Sequence, residues 1–213
     1  MTTEQAEKIA DEIMELYNGY GGNEYAGEKV TQLEHMAQAA QLAEEQGFGE
    51  EVILAAFLHD IGHISEAAKD AAHAGANGAN AIGAGTQAVA EADSRRMGAF
   101  GIRDHEELGA DFLRAKGFSK KVCRLVESHV EAKRYLTAKD PAYYAELSEA
   151  SKKTLEYQGG PMTGEEAAAF EQYPLFTLII QMRKWDEQAK IEHHPLPDLQ
   201  HYRRMILRHL LNA

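Results

Sequence analysis

Histidine and aspartate side chains lie at several positions that the sequence predicts to be buried. His59 and Asp60 end the most apolar segment of the chain, which begins near Glu51. A buried carboxylate is costly unless a positive group holds it, and a metal ion does this well. Adjacent side chains project about 100° apart on a helix, so the two can face different ions. The pair alone is a weak signal, because polar residues often end helices.

Four further candidates share this inward placement although they are far apart in the sequence. Each faces or leads into an apolar helix stripe, and the four are His35, His105, His129 and Asp186. Singly, each is more often a core residue or a helix cap than a ligand. Together with His59 and Asp60 they predict a buried metal cluster, because unpaired ionisable groups are costly in a protein interior.

The ligand set indicates two ions rather than one. Four histidines and two aspartates exceed what a tetrahedral structural zinc takes, and no cysteine ligand accompanies them. A mixed nitrogen and oxygen set with one bridging carboxylate suits two adjacent first-row ions such as iron, manganese or zinc. Spacing alone does not choose among these metals.

Helices must position these ligands, because helical periodicity dominates the chain and no alternating strand pattern is convincing. We predict a single all-α domain over residues 1–213. Helices are expected from the N-terminus to Gly21, over 31–46, 51–63 and 104–116, after a Ser119 cap, after a capping box at Thr163, after Pro174 and after Pro197. The segment 51–63 is apolar almost all round, so we place it at the centre of the domain.

Residues 65–103 form a long insertion that is rich in alanine and glycine and has a weak hydrophobic pattern. We expect it to cross the surface, partly helical and outside the core. Long segments of this kind are usually functional, so we interpret the insertion as a lid over the substrate. Within it, the polarisable Met97 side chain and the aromatic Phe100 side chain would favour binding of a methylated cation over a primary amine.

The composition narrows the range of partners. The 213 residues carry a formal net charge of −12, which argues against a nucleic-acid partner. The only cysteine is Cys123, so no intramolecular disulfide can form and a reducing cytoplasm is expected. No apolar run reaches the ~20 residues of a membrane helix, and the acidic N-terminus does not resemble a signal peptide. We expect a soluble, cytoplasmic protein with no membrane partner.

The order of the six candidates resembles the HD superfamily from about residue 23 to residue 189. The neighbouring motifs sharpen the resemblance, and they are Tyr25-Ala26-Gly27-Glu28, His59-Asp60-Ile61-Gly62-His63, His129-Val130-Glu131-Ala132-Lys133 and Met182-Arg183-Lys184-Trp185-Asp186. The set is similar to the HD-domain mixed-valent di-iron oxygenases of the PhnZ and TmpB type. These enzymes cleave the carbon–phosphorus bond of 2-amino-1-hydroxyethylphosphonate or its N-trimethyl analogue.

The resemblance implies an HD-domain helical bundle with two iron ions, Fe(II) and Fe(III), as cofactors and O2 as cosubstrate. One iron would be held by His35, His59, Asp60 and Asp186, and the second by Asp60, His105 and His129. Tyr25 and Glu28 match a pair that occupies an open iron position and moves away when substrate arrives. The residues that match the phosphonate-binding groups are His63, Lys133, Ser151, Thr154 and Arg183.

Spacing supports part of this substrate site independently. Lys133 is one turn beyond His129 and Arg183 is one turn before Asp186, so each cation shares a helix face with a metal ligand. Two cations and the hydroxyls of Ser151 and Thr154 would suit a phosphonate. The alternative is that the two cations only neutralise nearby acids such as Glu131 or Glu187.

We therefore predict an organophosphonate-degrading dioxygenase that releases phosphate and glycine or glycine betaine. Three alternatives stay open, namely an HD-type metal-dependent phosphohydrolase, an inositol-oxygenase-like enzyme and an inactive HD module that binds a ligand. Many HD phosphohydrolases have lysine where this chain has His63, so the motif argues against the first alternative. An intact ligand set argues against the last. The sequence does not choose between a primary amine and a trimethylammonium group on the substrate.

Overall fold

The computed structural model describes residues 1–25, 27–77, 96–98 and 100–213, and in these ranges the chain is helical without a sheet. The helices are α1 (Thr3–Tyr20), α2 (Gln32–Glu45), α3 (Glu50–Leu58), α4 (Ile61–Asn77), α5 (His105–Ala115), α6 (Lys120–Glu127), α7 (His129–Lys139), α8 (Pro141–Glu146), α9 (Glu149–Tyr157), α10 (Gly164–Glu171), α11 (Phe176–Gln188) and α12 (Leu199–Asn212). The predicted all-α class is confirmed. Among these helices none has the length and apolar composition needed to cross a membrane.

Polar caps begin several helices where the sequence predicts them. Thr31 and Thr163 each form a capping box with a glutamate three residues later, at the starts of α2 and α10. Ser119 Oγ accepts a hydrogen bond from the Val122 N–H at 3.3 Å, at the start of α6. Because each oxygen satisfies an amide that the helix leaves free, these residues fix where the helices begin.

Helix α3 lies at the centre of the core, as predicted. Every side chain over residues 52–58 is buried, and α3 packs against α2, α6 and α12. An aromatic stack joins it to the outer helices, since the Phe57 ring lies 4.5 Å from Tyr17 of α1 and 4.3 Å from Tyr202 of α12. The Tyr17 hydroxyl also donates to the Phe57 carbonyl. The end of α3 is therefore anchored from two sides.

Two predicted helices are divided at predicted metal ligands. The expected helix over 51–63 ends at Leu58, and α4 begins at Ile61, so His59 and Asp60 occupy the break. The helix after Ser119 is interrupted at Ser128, which places His129 in the first turn of α7. On a straight helix His59 and Asp60 would project about 100° apart. In the structure the helix is interrupted at these two residues, and both side chains reach the same buried centre.

The insertion is more ordered and more buried at its ends than the sequence predicts. Helix α4 continues to Asn77, and Ser65 within it is buried. Met97 is only 1% exposed, so the expectation that the whole insertion lies outside the core was wrong. Small side chains can pack closely without a strong apolar pattern, which is why periodicity failed here. Residues 78–95 and 99, most of the predicted lid, lie outside the described residues.

The fold analysis predicts that Gly62→Ala destabilises the protein by about 1–3 kcal/mol, because overpacking costs this much. A Cβ at Gly62 would lie 1.9 Å from the His105 carbonyl oxygen, where α4 crosses the start of α5. Calorimetry should show a lower melting temperature. The matched control is Gly19→Ala in α1, where a Cβ meets no atom within 4 Å and alanine favours the helix. Equal melting temperatures for the two variants would contradict the close crossing.

Candidate active site

The six predicted metal ligands lie together in the interior, and each is at most 5% exposed. Their ligand atoms form two groups, within each of which all atoms lie within 4.8 Å of one another. One group is His35, His59 and Asp186, and the other is Asp60, His105 and His129. Helices α2, α5, α7 and α11 and the break between α3 and α4 supply them. The structure thus brings the whole predicted set to one centre.

Backbone carbonyl groups orient all four imidazole rings. The Nδ1 atoms of His59, His105 and His129 lie 2.8, 3.0 and 2.8 Å from the carbonyl oxygen of the residue three positions earlier. His35 Nδ1 lies 2.9 Å from the Ala189 carbonyl oxygen. Because a carbonyl only accepts, each Nδ1 carries a proton. In a neutral ring the Nε2 lone pair then points to the centre, which is the orientation of a metal-binding histidine.

The Nε2 atoms meet in pairs that fit a metal ion. His35 Nε2 lies 3.0 Å from His59 Nε2, and His105 Nε2 lies 3.0 Å from His129 Nε2. Whenever both rings of a pair are neutral in this tautomer, no hydrogen lies between these two atoms. Two carboxylate oxygens of the same centre, Asp60 Oδ2 and Asp186 Oδ1, are buried without a hydrogen-bond partner. Converging lone pairs and orphaned oxygens are what a bound cation would satisfy.

Asp60 is placed to bridge the two groups. Its Oδ1 lies 3.2 Å from His105 Nε2 and 3.4 Å from His129 Nε2. Its Oδ2 lies 3.6 Å from His35 Nε2 and 3.5 Å from His59 Nε2. One oxygen therefore faces each group, as a carboxylate shared by two ions requires.

The electrostatics favour an ionised Asp60. Burial opposes its charge, but His59, His105 and His129 hold the pKa of Asp60 well below its usual value. Burial lowers the pKa of His59 to about 4, so this ring is neutral near pH 7. At His105 burial also lowers the pKa, but Asp60 and Glu106 outweigh this effect and raise the pKa to about 9. A proton therefore competes with a metal ion at His105, and metal binding would release it.

A pocket opens beside this centre and contains all seven predicted gating and substrate residues. Lining it are Tyr25, Glu28, His63, Lys133, Ser151, Thr154 and Arg183, together with His105, His129, Asp186, Met97 and Phe100. His63 stacks on His105 with ring centroids 4.0 Å apart. Burial and the charge of His105 lower the pKa of His63 well below its usual value, so His63 is neutral.

Lys133 faces the pocket as a buried cation without a carboxylate partner among the described residues. Its Nζ donates to Thr154 Oγ1 at 2.9 Å, and only 4% of the residue is exposed. Glu131 pairs with Arg124 at 3.0 Å instead, so the neutralising role considered for Lys133 does not apply. Burial and the nearby charge of Arg183 lower the pKa of Lys133 to about 7.

Arg183 is arranged differently, because acids already contact it. Its guanidinium pairs with Asp186 and Glu187, and its Nε donates to the Tyr143 hydroxyl at 2.8 Å. Burial opposes ionisation of Asp186, but Arg183 and His35 hold the pKa of Asp186 well below its usual value. The acid-neutralising alternative therefore does describe Arg183, which also orients a metal ligand.

Tyr25 and Glu28 are held in one tight turn. The Glu28 N–H donates to the Tyr25 carbonyl at 2.8 Å, and Gly27 has a φ of +80°. A Cβ at Gly27 would lie 2.6 Å from the Ala150 Cβ, so the turn packs closely against α9. The Tyr25 ring stacks on His35 with centroids 3.9 Å apart. The turn therefore fixes a phenol beside one metal group and a carboxylate in the pocket.

Sequence reasoning missed three polar groups near this turn. Glu28 Oε1 accepts from Ser148 Oγ at 2.6 Å and from Lys190 Nζ at 3.0 Å. Gln32 lines the pocket, and its Oε1 is buried without a partner. The one available signal was the spacing of Lys190, one helical turn after Asp186. No comparable signal in the sequence identifies Ser148 or Gln32.

Comparisons with known proteins identify a family and three similar proteins. The family model described as HD domain matches residues 32–158. A [1-hydroxy-2-(trimethylamino)ethyl]phosphonate dioxygenase (glycine-betaine-forming) of Leisingera caerulea is 38% identical over 205 residues, which cover 94% of this chain and 89% of that protein. A hydroxymethylphosphonate dioxygenase of Gimesia maris is 37% identical over 190 residues, covering 89% and 82%. Protein L432 of Acanthamoeba polyphaga mimivirus is 40% identical over 207 residues, covering 97% and 84%.

The geometry of Asp60 predicts that Asp60→Ala lowers the occupancy of both metal positions, because its two oxygens face different groups. The measurement is the number of metal ions per chain after reconstitution and removal of free metal. His129→Ala is the matched control, since it removes a ligand from one group only and should retain more metal. One full equivalent retained by Asp60→Ala would contradict the bridging arrangement.

Proposed function

This chain belongs to the HD-domain family, and we propose that it is a phosphonate dioxygenase that uses O2 to cleave the carbon–phosphorus bond of a 1-hydroxyphosphonate. The observation that carries the proposal is one pocket in which a two-group His/Asp centre adjoins the buried cation Lys133. The names of the Leisingera and Gimesia relatives support the same reaction class, since both are dioxygenases of hydroxylated phosphonates.

We assign iron to both metal positions, as the resemblance to the di-iron oxygenases implies. The residues that would hold the two ions are His35, His59 and Asp186 on one side and His105 and His129 on the other, with Asp60 shared. Bound Fe(II) and Fe(III) would supply an electron source and a template for substrate oxygens. The protein's own part is to orient the rings through backbone carbonyls and to keep both carboxylates ionised.

The finer proposal concerns the substrate, which we take to be 2-amino-1-hydroxyethylphosphonate or its N-trimethyl analogue. The bond between C1 and phosphorus breaks, C1 becomes a carboxylate and phosphorus leaves as phosphate. Carbon C1 loses four electrons, which O2 takes up, and both oxygen atoms enter the products. The second product is glycine or glycine betaine, and the Leisingera relative is named for the latter.

Lys133, Thr154, Ser151 and His63 would bind the phosphonate group. The Lys133 ammonium and the Thr154 hydroxyl are already in contact at 2.9 Å on one wall of the pocket. A phosphonate oxygen accepts strong charge-assisted hydrogen bonds from such groups. Arg183 would add positive charge at the same end while it holds Asp186 in place. Orientation of C1 toward the metal centre is the main contribution of these contacts.

Tyr25 and Glu28 would control access to the ion beside His35. Burial and the charges of Asp60 and Asp186 raise the pKa of Tyr25 well above its usual value, so its phenol stays neutral. A neutral phenol is a weak and replaceable metal ligand. Because Glu28 lies in the same turn as Tyr25, a substrate cation that attracts the Glu28 carboxylate would also draw the Tyr25 ring away from His35.

The test of the proposed function is O2-dependent release of phosphate. We expect iron-reconstituted protein to release one phosphate per O2 consumed from a 1-hydroxyphosphonate, and to release none without O2. His59→Ala should be inactive, whereas His73→Ala, an exposed histidine on α4, should be unaffected. Phosphate release in the absence of O2 would replace the proposal with the metal-dependent phosphohydrolase.

The lowered pKa of Lys133 predicts how kcat/KM depends on pH. Its pKa is lowered to about 7, so the free protein carries this charge below that pH and loses it above. The kcat/KM of the wild type should therefore fall as pH rises through about 7. Lys133→Met should lower kcat/KM by ~10–100-fold at acid pH, since a charge-assisted hydrogen bond is lost.

The comparison that decides this role of Lys133 is the shape of the pH profile. In Lys133→Met the fall near neutral pH should disappear, whereas Lys133→Arg should keep its charge and shift the fall to higher pH. Metal content should stay the same in both variants, because Lys133 contacts Thr154 and no metal ligand. A Met variant with the wild-type profile would show that another group titrates.

A further inference from the structure

Lys190 is a cation that contacts two residues of the pocket wall, Glu28 and Ser151, in two parts of the candidate substrate site. Its Nζ lies 3.0 Å from Glu28 Oε1, 3.3 Å from Ser151 Oγ and 3.3 Å from Glu187 Oε2. The Lys190 and Glu28 side chains are only 15% and 14% exposed. The pair is therefore shielded enough for its charges to act strongly on a neighbouring ligand.

Glu28 is consequently not a free carboxylate. It accepts from Lys190 and also from Ser148 Oγ at 2.6 Å. A positively charged group that approaches Glu28 gains attraction from the carboxylate but meets repulsion from the Lys190 ammonium. The repulsion therefore offsets part of the attraction, whereas a neutral group of the same shape experiences neither.

We propose that Lys190 is a specificity-determining residue that competes with the charged substituent of the substrate for Glu28. The inference rests on the proposed function, because it concerns the substituent carried on C2 of a 1-hydroxyphosphonate. With Lys190 in place, the pocket prefers a cationic over a neutral C2 group less strongly than Glu28 alone would. Removal of the Lys190 ammonium leaves Glu28 to the substrate and makes the pocket more strongly selective for a cation.

A purely structural role for Lys190 would have a different signature. In that case Lys190 only neutralises Glu28 and Glu187, and its loss weakens the binding of all ligands equally. The contact with Ser151 acts in this way, because any change transmitted to the phosphonate end affects every phosphonate alike. The ratio of two affinities removes this common effect and isolates the charge of the C2 group.

The experiment uses two ligands of the same shape that differ by one charge. One is 1-hydroxy-2-(trimethylammonio)ethylphosphonate, and the other is its isostere with carbon in place of the quaternary nitrogen. Dissociation constants are measured by calorimetry on iron-loaded protein without O2, so that no turnover occurs. In Lys190→Met the ratio should shift at least ~10-fold toward the cation relative to wild type, as expected for one shielded charge contact.

Three further variants control the result. Lys190→Arg keeps the charge and should keep the wild-type ratio, and Glu28→Gln should shift the ratio toward the neutral ligand. Lys116→Met removes a partly buried lysine that pairs with Glu12 on another face, and it should leave the ratio unchanged. If Lys190→Met does not fold, Lys190→Gln is judged by the same criterion.

The outcomes separate this inference from the proposed function. If neither ligand binds to the wild type, the proposed function is wrong. If both bind and the ratio is the same in wild type, Lys190→Met and Lys190→Gln, the proposed function stands and the role of Lys190 is overturned. A shift of the ratio in Lys190→Met that Lys190→Arg does not share supports the inference.

Discussion

The arrangement of this protein depends on one buried carboxylate, Asp60, which is 1% exposed and faces imidazole nitrogens through both of its oxygens. An ionised carboxylate in such a place requires positive charge around it. The histidines that supply contacts come from three separate helices and from the break in which Asp60 itself lies. Folding and metal binding are therefore linked, because the ligands converge only in the folded chain and a bound ion stabilises that state.

The geometry of the breaks explains how short segments deliver these ligands with the right orientation. At His59, His105 and His129 the ring nitrogen Nδ1 meets the carbonyl oxygen of the residue three positions earlier. His59 follows the end of a helix, and His105 and His129 each begin one, where a nearby carbonyl is not committed to the regular helical pattern. The same hydrogen bond between a ring nitrogen and a nearby carbonyl thus orients three of the histidines. Only His35, near the start of α2, contacts a carbonyl that is distant in the sequence, that of Ala189.

The sequence predicted which side chains converge better than it predicted the backbone around them. A histidine or aspartate among apolar residues at helical spacing stands out, so His35 and Asp186 were readable from pattern alone. The interruptions of the helices at His59 and Ser128 could not be predicted, because an interruption between two helices leaves the local composition unchanged. Met97 was placed outside the core because the segment around it has a weak hydrophobic pattern, although tertiary packing buries it. Contacts such as Ser148 with Glu28 join residues 120 positions apart and leave no local trace.

The two sides of the pocket carry different constraints. The proposed phosphonate side adjoins the candidate metal centre, where Arg183 contacts Asp186 and His63 stacks on His105, so a change there would also disturb predicted metal ligands. Glu28 and Lys190 pair with each other and with groups outside the ligand set. That pair can therefore change without loss of the metal centre. The names of the relatives differ in this respect, since one acts on a trimethylamino compound and another on hydroxymethylphosphonate, which has no C2 group. Such a division of the pocket would allow the reaction to stay the same while the C2 group of the substrate changes.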